Sequence, residues 1–98
     1  MGDNRNKLIT RMHAVSEDVK KAIRHELALA INSQLVFCSR KSNHPDDAHN
    51  YLVLAYNAKQ GNYTVICYNA QTDGLYWGHY SLSFKEAITL FAQDIWSA

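Results

Sequence analysis

The residues best suited to chemistry lie in one short polar segment, His-Pro-Asp-Asp-Ala-His at positions 44–49. Its two imidazoles, His44 and His49, and its two carboxylates, Asp46 and Asp47, are donor types that a borderline divalent metal accepts. A proline beside two aspartates is equally typical of a plain turn, however. The sequence therefore predicts no resident metal and no cofactor, and a metal held by these four residues is the open alternative.

Nucleophilic catalysis has little support from the cysteines or from His79. A reactive cysteine needs a partly exposed thiolate beside an imidazole. Cys38 and Cys67 instead sit inside apolar, strand-like runs, where a thiol usually behaves as a small buried hydrophobe. His79 falls opposite Thr64 in the strand register described below, which is an ordinary half-buried pair. We predict no catalytic residue, and an enzyme is the less favoured class.

Charge and hydropathy limit the partners and the location. Ten Lys/Arg against nine Asp/Glu give a net charge of +1, far from the basic balance of most nucleic-acid-binding proteins. A short basic arm (Arg5, Lys7, Arg11) could touch phosphate, but nucleic acid is not the expected partner. No apolar run approaches the roughly 18 residues needed to span a bilayer, and the first residues do not form a secretory signal. We therefore expect a soluble cytoplasmic protein with no membrane partner.

Local signals divide the chain into two helices and four strands. Ser16 is a good helix N-cap followed by two acidic residues, and Ser83 with Glu86 forms a capping-box pattern. Between the helices, β-forming runs are separated by polar segments of hairpin length. The predicted helices span 17–32 and 84–96, and the predicted strands span 34–40, 50–57, 62–69 and 74–81.

These elements predict one α+β domain over residues 1–98, since a chain of 98 residues has no room for a second core. The expected architecture is a four-stranded antiparallel sheet in α-β-β-β-β-α order, with the two helices packed on one face. Residues 1–15 either extend the first helix or are mobile.

The sheet is predicted to be apolar on both faces. The segment from Tyr51 to Tyr80 holds all six tyrosines and Trp77, and pairing Asn57 with Asn62 and Asn69 with Gly74 leaves neither face polar. If both helices cover one face, the other is left for a partner. The predicted contact surface consists of Tyr51, Val53, Ile66, Tyr68, Trp77 and His79. The alternatives are that the helices divide between the two faces, or that residues 1–15 cover the second face.

Three runs, Asn-Tyr-Thr-Val, Trp-Gly-His-Tyr and the capped Ser-Phe-Lys-Glu-Ala, resemble segments of small bacterial or phage α+β proteins of unknown function. The favoured function is a small non-enzymatic protein-interaction module, homodimeric through the aromatic sheet face. The alternative is a small ligand-binding or enzymatic domain with an aromatic pocket near His79.

Overall fold

The computed structural model of the chain describes residues 12–41 and 48–96, except for the side chains of residues 94–96. The strands form one antiparallel meander sheet in the order β1-β2-β3-β4. The predicted α+β class, the four-stranded antiparallel sheet and the α-β-β-β-β-α order are confirmed. The elements are α1 (Glu17–Ile31), β1 (Gln34–Arg40), β2 (Asn50–Asn57), β3 (Asn62–Asn69), β4 (Gly74–Leu82) and α2 (Phe84–Trp96).

The helix ends follow the capping signals in the sequence. The Ser16 hydroxyl accepts the Val19 N–H at 3.2 Å, which satisfies one of the free amides at the start of α1. Asn32 ends the helix in the left-handed conformation at φ 50°, as asparagine often does. At α2, the Ser83 N–H donates to Glu86 at 2.9 Å and the Glu86 N–H donates to the Ser83 hydroxyl at 3.1 Å. Both predicted helix starts are confirmed.

Two asparagine-terminated turns set the register of the three long strands. Asn57 pairs with Asn62 across the first turn, and Asn69 pairs with Gly74 across the second. The side-chain oxygens of Asn57 and Asn69 accept backbone N–H groups of the turns that follow them, at 2.8–3.0 Å. Gly61 adopts the left-handed conformation at φ 71°, which is unfavourable for a residue with a Cβ atom. The predicted pairing at both turns is therefore confirmed.

The two helices lie on opposite faces of the sheet, which corrects the expectation that both pack on one face. On one face, Ile23 and Leu27 of α1 pack against residues of β1, β2 and β3; on the other, Ala87 and Phe91 of α2 pack against β2 and β3. The α1 side also includes Val15, Cys38, Val53, Ala55, Ile66 and Tyr68, and the α2 side includes Leu52, Leu54, Val65 and Cys67.

The division follows from strand alternation, because neighbouring residues of β2 and β3 point to opposite faces and are apolar on both. Each apolar face is buried by one helix. Lys20 is also buried on α1, with a side-chain exposure of 8%, and its Nζ lies 2.8 Å from the exposed Glu17 carboxylate. Lys20 is three residues before Ile23, so the aliphatic part of its side chain extends the buried stripe while its ammonium reaches a solvated partner.

In the described part of the chain, neither helix is long and apolar enough to cross a membrane.

Candidate partner-binding surface

The structure divides the predicted contact surface into buried and exposed residues. Val53, Ile66 and Tyr68 are 0%, 2% and 1% exposed and belong to the core beneath α1, so they are not available to a partner in this fold. Tyr51 is half-buried at the edge of the same cluster. Only Trp77, at 74% exposure, and His79 remain exposed. The open aromatic face predicted from the sequence is therefore not formed.

Strand β4 departs from the regular register at two β-bulges. The pairing steps from Cys67–Tyr76 to Val65–His79, and then to Tyr63–Leu82. One residue of β3 thus faces two residues of β4 at each step, which bends the strand and increases its twist. His79 consequently pairs with Val65 and not with Thr64, which moves it to the α2 side of the sheet. The prediction that His79 lies on the same face of the sheet as Val53 and Ile66 is therefore wrong.

Backbone strain accompanies both bulges. Trp77 has φ 52° and Ser81 has φ 59°. The left-handed conformation costs an L-residue about 1–2 kcal/mol, and a bulky residue there is an outlier. Trp77 recovers little of that energy by burial, because its side chain is the most exposed of the large apolar residues that the structure describes. A strained and exposed tryptophan on an edge strand is the most unusual feature of the described surface.

Two further aromatic side chains are exposed, one on β4 and one at the start of α2. Tyr80 is 53% exposed, and a Cβ placed on Gly78 would come within 2.5 Å of its ring. Glycine at 78 therefore gives the Tyr80 ring room to lie against the strand. At the start of α2, Phe84 is 54% exposed and its ring centroid is 5.3 Å from that of Tyr63. The exposure of Tyr80 and Phe84 was not predicted from the sequence.

Lys41, Tyr76 and Trp77 form what we call the Lys41 corner. The Lys41 ammonium lies 4.7 Å from the Trp77 ring centroid and 5.8 Å from that of Tyr76, within cation–π range. The two rings are 5.2 Å apart and inclined at 68°. The Tyr76 hydroxyl donates to Asn50 Oδ1 at 2.9 Å, and the Asn69 amide donates to the same oxygen at 3.2 Å. Tyr76 is therefore held in place, while Trp77 faces solvent.

The charge at the end of β1 is positive. Among the described residues, neither Arg40 nor Lys41 forms a salt bridge with a carboxylate. The ion pair seen in this part of the chain joins Lys20 to Glu17. Arg40 Nε is also buried with no hydrogen-bond partner within the described residues. The sequence did not single out Lys41, because nothing local to a lysine after a strand indicates which aromatic rings a distant strand will bring to it.

Burial makes the cysteine thiols and the Tyr68 hydroxyl of the core poor candidates for catalytic groups. Cys38 and Cys67 are both buried, and burial raises the pKa of the Cys38 thiol to about 11, which disfavours the nucleophilic thiolate. The buried Tyr68 hydroxyl donates to Asp73. Burial first, and then this acidic partner, raise the pKa of Tyr68 above its usual value. This pair ties β3 to the turn before β4.

The predicted metal alternative is only partly covered by the structure. His49 is exposed, whereas His44, Asp46 and Asp47 lie outside the described residues, as does the basic arm of Arg5, Lys7 and Arg11. Within residues 12–41 and 48–96, no three His, Cys, Asp or Glu side chains gather as a metal site would require.

Two open cavities lie beside α1. One, of about 380 Å³, is lined by residues of the α1–β1 connection and of the β2–β3 turn, including Asn32 and Lys59. The other, of about 250 Å³, extends along Arg24, Ala28 and Leu35. His79 lines neither of them, so neither is the aromatic pocket predicted as the alternative function.

Comparison with known proteins gives one match. A family model described as "Large polyvalent protein associated domain 24" matches residues 15–86. That range runs from the residue before the α1 N-cap to the first turn of α2, and so contains all four strands. No curated protein and no solved structure matches the chain.

Proposed function

Because the chain belongs to the family of large polyvalent protein associated domain 24, we propose that it is a non-enzymatic protein-interaction module that binds through the exposed side chains of β4. The family description names no reaction, only an association with large polyvalent proteins. The observation that carries the proposal is Trp77, which is 74% exposed on an edge strand. Tryptophan and tyrosine are enriched where protein surfaces meet.

The bulges in β4 support side-chain binding over extension of the sheet. An unmodified edge strand offers a row of free backbone groups to another strand, and bulges with positive φ interrupt that row. In β4 the interruptions fall at Trp77 and Ser81. A partner at this edge therefore meets projecting aromatic side chains on a strand that is poorly suited to regular pairing.

The exposed area bears on self-association. An aromatic side chain buries about 150–250 Å² when fully covered, and Trp77 and Tyr80 are 74% and 53% exposed. A standard interface buries about 800 Å² on each partner, so these two side chains supply less than half of it. A homodimer through β4 would need more surface than the aromatic residues provide, whereas a short segment of another protein would not.

Site-specific photo-crosslinking tests the proposal. A photoreactive phenylalanine analogue would replace Trp77 in the full chain and, as the matched control, Leu29, which is 71% exposed on α1. In the cells that naturally contain the protein, we expect protein adducts from position 77 and not from position 29. Light scattering over a wide concentration range identifies whether the adduct is a second copy. A monomer that gives no protein adduct from position 77 would refute the proposal.

A further inference from the structure

Three features of the described structure are candidates for a more specific role. The cavities beside α1 are open, and each is lined by one charged residue, Lys59 in the larger and Arg24 in the smaller. Cys38 and Tyr68 lie inside the core, and the Tyr68 hydroxyl is already bonded to the exposed Asp73. The Lys41 corner differs from these, because it combines an exposed ring, a fixed ring and a cation within 6 Å of each other.

We infer that the Lys41 corner binds a short protein segment in which an acidic residue stands next to an aromatic or large aliphatic residue. The inference rests on the proposed interaction function and specifies the chemistry of the partner. Trp77 and Tyr76 supply the apolar contact, and Lys41 supplies the charge that selects a carboxylate.

The geometry of the rings supports the apolar half of the site. Tyr76 is fixed through Asn50, and Trp77 stands beside it at 68° with most of its surface in water. The exposed surface of the Trp77 ring, beside the fixed Tyr76 ring, offers an apolar contact to one side chain of a partner. A ring that is already positioned loses little conformational freedom on binding.

Charge complementarity supports the acidic half. The ammonium of Lys41 is shared between two ring faces and forms no salt bridge with a carboxylate in the described chain. A partner carboxylate would form an ion pair with Lys41 at the rim of the apolar contact, where charge sets specificity and association rate.

The backbone at Trp77 gives a separate reason to regard the residue as functional. Strained φ values persist where the surrounding structure enforces them, and they are concentrated at binding and switch sites. Trp77 is held at φ 52° with its side chain exposed, so the conformation places the indole beside Lys41 and does not fill the core.

Selection from a displayed library of random twelve-residue peptides tests the inference with the full chain as bait. We expect selected peptides to share Asp or Glu within three positions of an aromatic or large aliphatic residue. Their affinities would then be measured by fluorescence anisotropy at two salt concentrations. Trp77→Ser should weaken binding on the order of thirtyfold, as expected for loss of an aromatic hot spot. Lys41→Gln should weaken it about fivefold and reduce the salt dependence, as expected for one rim ion pair.

Matched controls separate the corner from the general surface. Lys59→Gln removes an exposed lysine in the β2–β3 turn, and Leu29→Ser removes an exposed apolar side chain of α1; both should leave the affinity within about twofold.

The inference is overturned if no peptide is selected, if the selected peptides lack acidic residues, or if the control variants weaken binding as much as the Lys41 corner variants. It is also overturned if the occupant is a second copy, shown by self-association that Trp77→Ser abolishes. In that last case, or if peptides without acidic residues bind Trp77, the proposed interaction function still stands. The proposed interaction function is refuted by a different result, namely that crosslinking from position 77 finds no protein partner.

Discussion

The strained conformation of Trp77 predicts that glycine is better tolerated than alanine at this position. Both Trp77→Ala and Trp77→Gly remove the indole with its contacts to Tyr76 and Lys41, so those losses cancel when the two variants are compared. What remains is the backbone at φ 52°. Alanine keeps a left-handed strain of about 1–2 kcal/mol, and glycine removes it at the expense of about 0.5–1 kcal/mol of extra unfolded-state entropy.

We therefore expect Trp77→Gly to be more stable than Trp77→Ala by about 1 kcal/mol. For a domain of this size that corresponds to a midpoint about 4–8 °C higher. Urea unfolding followed by far-ultraviolet circular dichroism would give both free energies of unfolding.

His79 provides the matched control, because it is also exposed on β4 and its φ is not positive. In an ordinary strand position, alanine should be more stable than glycine by about 0.5–1 kcal/mol. The order of the two residues should thus reverse between positions 77 and 79. If alanine is as stable as glycine at position 77, the backbone there is not left-handed in solution, and the argument from strain to function is refuted.

Three further predictions concern the core and the turns. Burial raises the pKa of Cys38 from 9.0 to about 11, so alkylation of the Cys38 thiol at pH 8 should be about a hundredfold slower in the folded protein than in the unfolded chain. The free energy of unfolding that depends on the neutral thiol should be fully present below pH 9 and should be lost as the pH rises toward 11. Gly61→Ala should lower the free energy of unfolding by about 1 kcal/mol in urea melts, because φ is 71° although no atom lies within 4 Å of the new Cβ, whereas Gly74→Ala should have little effect. Lys20→Met should change the thermal midpoint little, since the buried aliphatic contact is kept and Glu17 is already solvated; a loss above about 2 kcal/mol would show that the ion pair is required.

The bounds of the elements were predictable because local chemistry determines them. Ser16 and the pair of Ser83 and Glu86 place the helix starts through hydrogen bonds within four residues of chain. The strand ends and the register follow from Asn57 and Asn69, whose side chains bind the backbone of their own turns. Such signals need no knowledge of tertiary contacts.

The bulges of β4 were not predictable in the same way. The local sequence Trp-Gly-His-Tyr-Ser alternates no differently from a regular strand, and glycine occupies position 78 while the positive φ belongs to Trp77. Both bulges arise from the fit of β4 to β3, which is a tertiary property. Since each bulge shifts the alternation by one residue, the side of the sheet was wrong for His79, and the Lys41 corner was not foreseen.

The placement of the helices was, in contrast, within reach of the sequence. A sheet that is apolar on both faces is unstable in water unless each face is covered, and the described part of the chain contains two helices of 15 and 13 residues, each with one apolar stripe. The predicted partner surface required both helices to pack on one face of the sheet, which would leave Val53, Ile66 and Tyr68 exposed on the other. One helix for each face buries these residues within the chain itself. Each apolar face of the sheet is therefore covered by one of the two described helices. A partner is left with what these helices do not bury, the bulged edge strand at Trp77.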